Sequence, residues 1–423
     1  MSKQVNDIIA FLNGLKNRKG GYIFTAIIIS KILGFLLSIF VIKTISTVEY
    51  GLVSYAYNII SFIAPFAGFG IFQSLGRYGP LLGSQQKKRQ LFKYVFKKGF
   101  LSSVLLTVIV LALSGVLTSS LPESHNHLML ISFLIISLFI FEVVKIYFRI
   151  HHINKLFAYL EISNSIVLVI SGIILTYFYG GYGYLISLII SPLLISIYII
   201  IRYGMFTKIE NNDYSKAYKK SLWSYGFFTS LGGLTSQLIF SIDILTIGYL
   251  MHDPKDIAYY KAASLIPFAL LFIPAGVMKT DLVKLTQNYK NKAYLKKYVA
   301  NYMKIFTVIS IVLAALLTLF SKQLMSLFGT EYVQAADLIP VFGIGIIGAF
   351  VFRGLFGNLL DAIGWAKTSA SISICILIID VILNYFLIEK YGIIGAAYST
   401  SLLLWIAGIV AYAAFRKHLS QLD

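Results

Sequence analysis

Apolar stretches of about 20 residues, following one another from end to end, constrain this chain more than any motif in it. The hydrocarbon core of a bilayer is about 30 Å thick, and a helix rising about 1.5 Å per residue crosses it in about 20 residues. Such stretches fall near 22–42, 52–76, 99–119, 128–148, 158–178, 183–203, 225–250, 259–279, 304–321, 336–357, 369–389 and 394–415. Nothing of domain size lies between them. The expected fold is therefore an all-α membrane protein with about 12 transmembrane helices. A hydrophobic fraction of 58% and a mean hydropathy of +0.81 leave too little polar surface for a soluble globule.

The net charge of +19 would suggest a nucleic-acid partner in a soluble protein. Here its distribution decides. Basic residues crowd into alternate connections: Lys3, Lys16, Arg18 and Lys19 before the first span, then Lys87, Lys88, Arg89, Lys93, Lys97 and Lys98 in the second connection. The middle loop carries Lys208, Lys216, Lys219 and Lys220. The connection after the eighth span carries Lys284, Lys290, Lys292, Lys296 and Lys297, and the tail ends with Arg416 and Lys417. The opposite set is nearly bare, holding a few lysines such as Lys43, Lys255, Lys322 and Lys390. By the positive-inside rule both termini are expected in the cytoplasm, with an even number of spans. The same clusters suit contact with anionic membrane lipids, whereas nucleic acid would need an extramembrane domain to present them. Residues 1–21 lack a signal-peptide cleavage pattern, so the first span is expected to persist.

The polar connection at 204–222 divides the chain near its midpoint into an N-terminal six-helix bundle, 1–210, and a C-terminal one, 211–423. The halves echo each other. Glu49-Tyr50-Gly51-Leu52-Val53-Ser54-Tyr55-Ala56 precedes the body of span two, and Asp256-Ile257-Ala258-Tyr259-Tyr260-Lys261-Ala262-Ala263 opens span eight. Tyr179-Gly180-Gly181-Tyr182-Gly183 precedes span six, and Tyr391-Gly392-Ile393-Ile394-Gly395 precedes span twelve. An even span count per half makes the repeat parallel, with a pseudo-twofold along the membrane normal and a central cleft that rocking bundles could open to either side.

These motifs resemble the polysaccharide-transport family, the O-antigen and lipid-linked oligosaccharide flippases, within the wider group that includes multidrug and toxic compound extrusion transporters. The matching residues are Glu49-Tyr50-Gly51, Gly68-Phe69-Gly70 with Arg77-Tyr78, Asp243, Tyr259-Tyr260, Phe328-Gly329 with Tyr332 and Ala335-Ala336, and Asn384 followed by Tyr391-Gly392-Ile393-Ile394-Gly395-Ala396-Ala397. The resemblance extends over nearly the whole chain. It implies a multi-pass protein of a bacterial cytoplasmic membrane that moves an undecaprenyl-pyrophosphate-linked oligosaccharide from the cytoplasmic to the outer leaflet, alongside other polysaccharide-assembly proteins. It does not name the sugar.

Ionisable residues at membrane depth are costly and tend to face a bundle interior or a hydrated cavity. Lys31 lies near the middle of span one, too deep for its stem to snorkel comfortably to either interface. In a hydrated cavity it would attract a pyrophosphate or an acidic sugar; the bland alternative is a buried partner for a carboxylate. Asp243 in span seven and Asp380 in span eleven are acids at similar depth, suited to taking up H+ or Na+ or to structural pairing. Glu142, Lys145 and Arg149 share one face of span four, with Glu142 a third ion-coupling candidate and Glu142–Lys145 a possible self-neutralising pair. Arg149 and Arg353, the latter with Asp361 as a candidate neighbour, sit toward the cytoplasmic mouth, where a head group is first met; a topological role is the alternative. Arginine suits phosphate because its planar fork donates two parallel hydrogen bonds. Tyr55, Tyr57, Asn58, Gln73, Ser236, Gln237 and Asn384 are candidates for sugar contacts, although most of the 29 Tyr and 32 Phe belong to interface belts and helix packing. Gly343, Gly345 and Gly348 permit close helix packing, and Pro65, Pro192, Pro267, Pro274 and Pro340 can kink spans.

The sequence has no Walker A loop, nucleophile elbow or Cys/His metal spacing, and its one cysteine, Cys375, lies in an apolar run. No cofactor or metal and no enzymatic activity is expected. Two other functions compete: a cation-coupled exporter of amphipathic drugs, and a membrane-embedded polysaccharide polymerase or ligase, which would need a long ordered outer loop.

Overall fold

A computed structural model describes residues 21–151, 153–206, 219–238 and 241–422, which are helical with no strand among them. The helices used below are α1 Gly21–Thr44, α2 Thr47–Ile63, α3 Ile71–Tyr78, α4 Gln85–Leu117, α5 His125–Ile131, α6 Leu134–Ile150, α7 Asn154–Arg202 and α8 Lys219–Leu238. They continue with α9 Ile242–Met251, α10 Pro254–Leu270, α11 Phe272–Gln287, α12 Lys292–Leu319, α13 Leu338–Gly348, α14 Gly354–Ala362, α15 Ala366–Tyr391 and α16 Ile393–Ser420. Among the described residues, nine segments are long and apolar enough to cross a membrane. This is a multi-pass membrane protein. One of the nine, Lys155–Arg202, contains both the fifth and sixth expected spans.

Two of the basic connections are helical rather than loose. α4 starts at Gln85, with the Ser84 side chain accepting from Lys87 N–H at 3.2 Å, and buries Leu91, Phe92 and Val95 before its apolar body begins. α12 starts likewise, with Asn291 capping Tyr294 N–H at 2.9 Å. A capped start and a buried stripe carry each helix beyond the length the bilayer requires.

Among the described residues two packing units emerge, one within 26–261 and one within 262–422 together with 21–25. The described helices within 219–261 pack with the first unit. The reason is local: Gly226 lies so close to Gly70 that a Cβ on Gly226 would come 2.6 Å from the Gly70 carbonyl, and Asn58 Nδ2 donates to the Ser241 carbonyl at 2.6 Å.

Span two is not the continuous helix expected over 52–76. It breaks at Ala64–Gly70, where Gly68, Phe69 and Gly70 have φ of 60°, 48° and 73°. Pro65 removes a backbone donor there, and glycine relieves the Cβ clash of the left-handed region. Phe69 takes that conformation without such relief. Span ten is also irregular, since a π-helical turn at Ala349–Arg353 separates α13 from α14.

The expected repeat shows itself in backbone geometry. Gly180 has φ 58° and ψ −138°, and Gly392 has φ 65° and ψ −149°. Three residues later the contacts recur: a Cβ on Gly183 would lie 1.9 Å from the Leu175 carbonyl oxygen, and one on Gly395 would lie 2.0 Å from that of Leu387. Each Tyr-Gly-x-x-Gly is a sharp turn between two apolar helical arms, closed too tightly for any side chain at the second glycine.

Close packing by small residues is realised in the second unit. A Cβ on Gly345 would come 2.7 Å from Ser401 Oγ, and one on Gly348 would come 2.7 Å from the Trp405 ring. The approach of α13 to α16 is fastened by Ser401 Oγ donating to the Val341 carbonyl at 2.8 Å and Trp405 Nε1 donating to the Ile344 carbonyl at 2.9 Å.

Candidate functional site

Within residues 262–423, three of the sequence candidates converge. Asp380 and Asn384 are one helical turn apart on α15, and both are fully buried. Asn384 Nδ2 donates to Asp380 Oδ1 at 2.7 Å, and Ser399 Oγ of α16 donates to the same oxygen at 3.2 Å. Arg353, the last residue of the π turn, acts electrostatically on Asp380. The expected neighbour Asp361 is instead hydrogen-bonded to Ser369. The correction has a geometric cause: the extra residue of a π turn re-aims the side chains at its end relative to a regular helix. The result is a guanidinium, a carboxylate, an amide and a hydroxyl gathered at membrane depth. Such a set can hold a cation or a proton on its carboxylate and an anionic oxygen on its arginine.

Residues 26–261 hold a second charged group. Lys145 Nζ of α6 binds Glu142 Oε1 at 2.7 Å and Glu161 Oε1 of α7 at 2.6 Å, with the ring centroids of Phe141 and Phe157 5.0 and 5.5 Å from the ammonium. The expected self-neutralising pair is thus one side of a carboxylate–ammonium–carboxylate triad that ties two helices together. Its net charge is −1. Arg149, on the same face by spacing, is exposed at the end of α6. The same glutamate segment reaches α1, where Ser30 Oγ donates to the Glu161 carbonyl at 3.3 Å. Lys31 follows directly and is exposed, about 100° around the helix from Ser30.

Asp243 at the start of α9 is fully buried and accepts a hydrogen bond from the Tyr260 hydroxyl. Tyr55 is buried against Gly248, where a Cβ would come 2.4 Å from its ring, and its hydroxyl bonds to Ser120. Asn58 is the strut between α2 and α9 already described. Gln73 Nε2 donates to Ser230 Oγ at 3.2 Å, joining α3 to α8. In this conformation Tyr55, Asn58 and Gln73 all serve packing within the unit. The side chains of Ser236 and Gln237 lie outside the described residues. Tyr57, by contrast, lines a partly open recess of about 180 Å³ with Ser61, Ala64, Pro65, Leu134 and Leu138. The recess lies against the start of the break in span two. Broken helices at membrane depth are tolerated where they are buried in protein or line such a space.

Sequence reasoning missed Glu161, Ser399 and Ser241. Glu161 had a readable signal, being an acid just inside an apolar span. Ser399 had none, because serines are frequent in these helices and only rotation selects the one whose hydroxyl reaches Asp380, and Ser241 had none because it takes part through its backbone carbonyl.

The profile of the family described as polysaccharide biosynthesis protein matches residues 17–276, and that of the MatE family matches residues 229–386. An uncharacterized membrane protein of Methanocaldococcus jannaschii is 26% identical over 280 residues, 64% of this chain and 50% of that protein. A Shigella flexneri protein named as an O-antigen transporter is 26% identical over 188 residues, 43% of this chain and 44% of its own. The chain spans about half the length of the curated relatives it matches. Among solved structures, the lipid II flippase MurJ in an inward closed conformation aligns with a TM-score of 0.76 and 17% identity, covering 94% of this chain and 89% of that one. An inward-facing multidrug resistance MATE transporter of the MOP superfamily aligns with a TM-score of 0.75 and 17% identity, covering 93% and 95%. The family profile covers more than half of the sequence, and the helices lie on a fold shared with these two solved structures: the chain belongs to the polysaccharide biosynthesis protein family.

Proposed function

We propose that this protein is a flippase that carries an undecaprenyl-pyrophosphate-linked oligosaccharide from the cytoplasmic to the outer leaflet of a bacterial cytoplasmic membrane by alternating access. The observation that carries the reading is the match of residues 17–276 to a polysaccharide biosynthesis family on the fold of a lipid flippase. The chemistry of the ionisable groups supports it. Lys31 and Arg353 supply cations at membrane depth for a pyrophosphate or an acidic sugar, and Arg149 supplies one at the end of α6. The lipid tail already keeps the substrate in the membrane, so modest attraction for the head group suffices. Asp243, Asp380 and Glu142 are the groups on which an H+ or Na+ gradient would act. The basic clusters of alternate connections favour cytoplasmic termini.

The test is deletion of the gene followed by leaflet-resolved analysis of undecaprenyl-linked glycans. An accumulating glycan on the cytoplasmic leaflet, with loss of the matching surface polymer, is the expected outcome and names the sugar. Unchanged surface glycan would overturn the reading. Lys31→Ala is expected to lower surface glycan without lowering the amount of protein in the membrane. A second reading, a cation-coupled exporter of amphipathic drugs, is favoured by the MatE match over residues 229–386. It requires that deletion lower drug resistance and leave surface glycan intact. Under either reading, Asp243→Asn is expected to abolish gradient dependence of transport in proteoliposomes.

A further inference from the structure

The motif Glu49-Tyr50-Gly51 and the turn at Gly180 meet at one end of residues 26–261, and the flippase reading uses neither. Gly181 N–H, directly after the turn, donates to Glu49 Oε1 at 2.7 Å. The approach is so close that a Cβ on Gly180 would lie 2.8 Å from the same oxygen. Beside this contact stands His127 of α5. Its ring stacks on Tyr182 with centroids 4.4 Å apart and planes 12° apart, and the residue is only 5% exposed. Neither ring nitrogen makes a regular hydrogen bond among the described residues. A buried imidazole whose nitrogens reach no well-formed hydrogen bond is costly and calls for an explanation.

We infer that His127 and Glu49 form a proton-binding site in which an imidazolium at His127 competes with Gly181 N–H for the Glu49 carboxylate. The ligand is a proton, taken from solvent and returned to it, with no covalent bond otherwise changed. Imidazole is the side chain whose ordinary titration range straddles neutrality. The surroundings of the ring are simple. α2 contributes Glu49, which acts on it electrostatically; α7 contributes Tyr182; the 122–124 turn contributes the Glu123 carbonyl. α5 itself carries His125, and α4 has no ionisable residue between Gly99 and Leu117. With the ring neutral, Glu49 clasps the turn that joins the two arms of α7. With the ring charged, the carboxylate is drawn to His127 and the clasp loosens. The charge distribution assigns this end to the outer face, so in the flippase reading, on which only this use depends, external acidity would release the fifth and sixth spans.

The test is amide hydrogen exchange in peptides covering 179–184, on the full chain in detergent micelles, at about pH 8 and about pH 5.5, with rates corrected for intrinsic chemistry. The wild-type chain is expected to lose protection several-fold on acidification. His127→Phe, which keeps a ring on Tyr182, and Glu49→Gln, which keeps an acceptor for Gly181, are expected to show equal protection at the two pH values. Equal rates in the folded wild-type chain, or an undiminished acid response in His127→Phe, overturns the proposal. Should either variant fail to fold, histidine side-chain NMR of the wild-type chain decides, since an imidazole that stays neutral through the acid change is equally fatal. Absence of glycan flipping by the wild-type chain would count against the transport reading alone and leave the exchange result standing.

Discussion

In residues 26–261 a single ammonium, Lys145, gathers two carboxylates from two helices. In residues 262–423 a single carboxylate, Asp380, gathers an amide, a hydroxyl and the field of a guanidinium carried on a π turn. The first arrangement is a brace: both salt bridges are short, and α6 and α7 are held by the ion at their crossing. The second is looser: the hydroxyl bond is longer, at 3.2 Å, and Arg353 stands at the end of a π turn rather than on a regular helix. The lesson is that intramembrane charge in this protein does two kinds of work. One group ties two helices together, and the other gathers polar atoms around a buried carboxylate beside irregular backbone.

The contrast can be broken most directly at Lys145. Lys145→Ala leaves Glu142 and Glu161 facing each other, and the loss is expected near 3 kcal/mol, the lower end for breaking a buried ion pair because both carboxylates are partly exposed. The thermal unfolding midpoint in detergent measures it, and a change within error would remove the brace. Next come the two repeat turns. Gly180→Ala and Gly392→Ala each force an L-residue into glycine-only backbone, at about 1–3 kcal/mol. At Gly180 the added Cβ would also meet the Glu49 carboxylate, at 2.8 Å. A loss confined to one copy, by the same measurement, would undo the structural equivalence of the turns.

Ser399→Ala removes one of the donors to Asp380 and is expected to lower stability by about 1 kcal/mol. If this looser group takes up a cation, the substitution should also alter the cation dependence of transport more than it alters stability. Smallest of all is Glu142→Gln. Glu142 is 34% exposed and Glu161 still neutralises the ammonium, so the expected loss is below about 1 kcal/mol. A Glu142→Gln loss equal to that of Lys145→Ala would mean that the two carboxylates do not share the lysine as described.

Much of the fold was legible because a span is a local property. Apolar stretches of the right length become helices wherever lipid cannot satisfy the backbone, and the turn motif at Gly180 and Gly392 announced itself by two glycines at fixed spacing. Asp380 and Asn384 were legible as a pair for the same reason, lying one helical turn apart. Glu161 joins Lys145 from the next helix, and the missing information was the rotation of α7 about its axis. The break after Ile63 was half legible. Pro65, Gly68 and Gly70 mark the place, but the left-handed conformation of Phe69 follows from packing around it.

The sequence by itself therefore determined that this chain is a multi-pass helical membrane protein with a doubled turn motif and ionisable groups at membrane depth. Those features depend on the transfer of each segment into hydrocarbon and on hydrogen bonds closed within it. Only the tertiary structure decided which charges meet: Glu161 with Lys145, Asp380 rather than Asp361 with Arg353, and Glu49 with Gly181 beside His127. In lipid, side chains are as well solvated on one face of an apolar helix as on another. Tilt and rotation are then set by small residues, struts and breaks contributed by neighbouring helices, and these cannot be read one segment at a time.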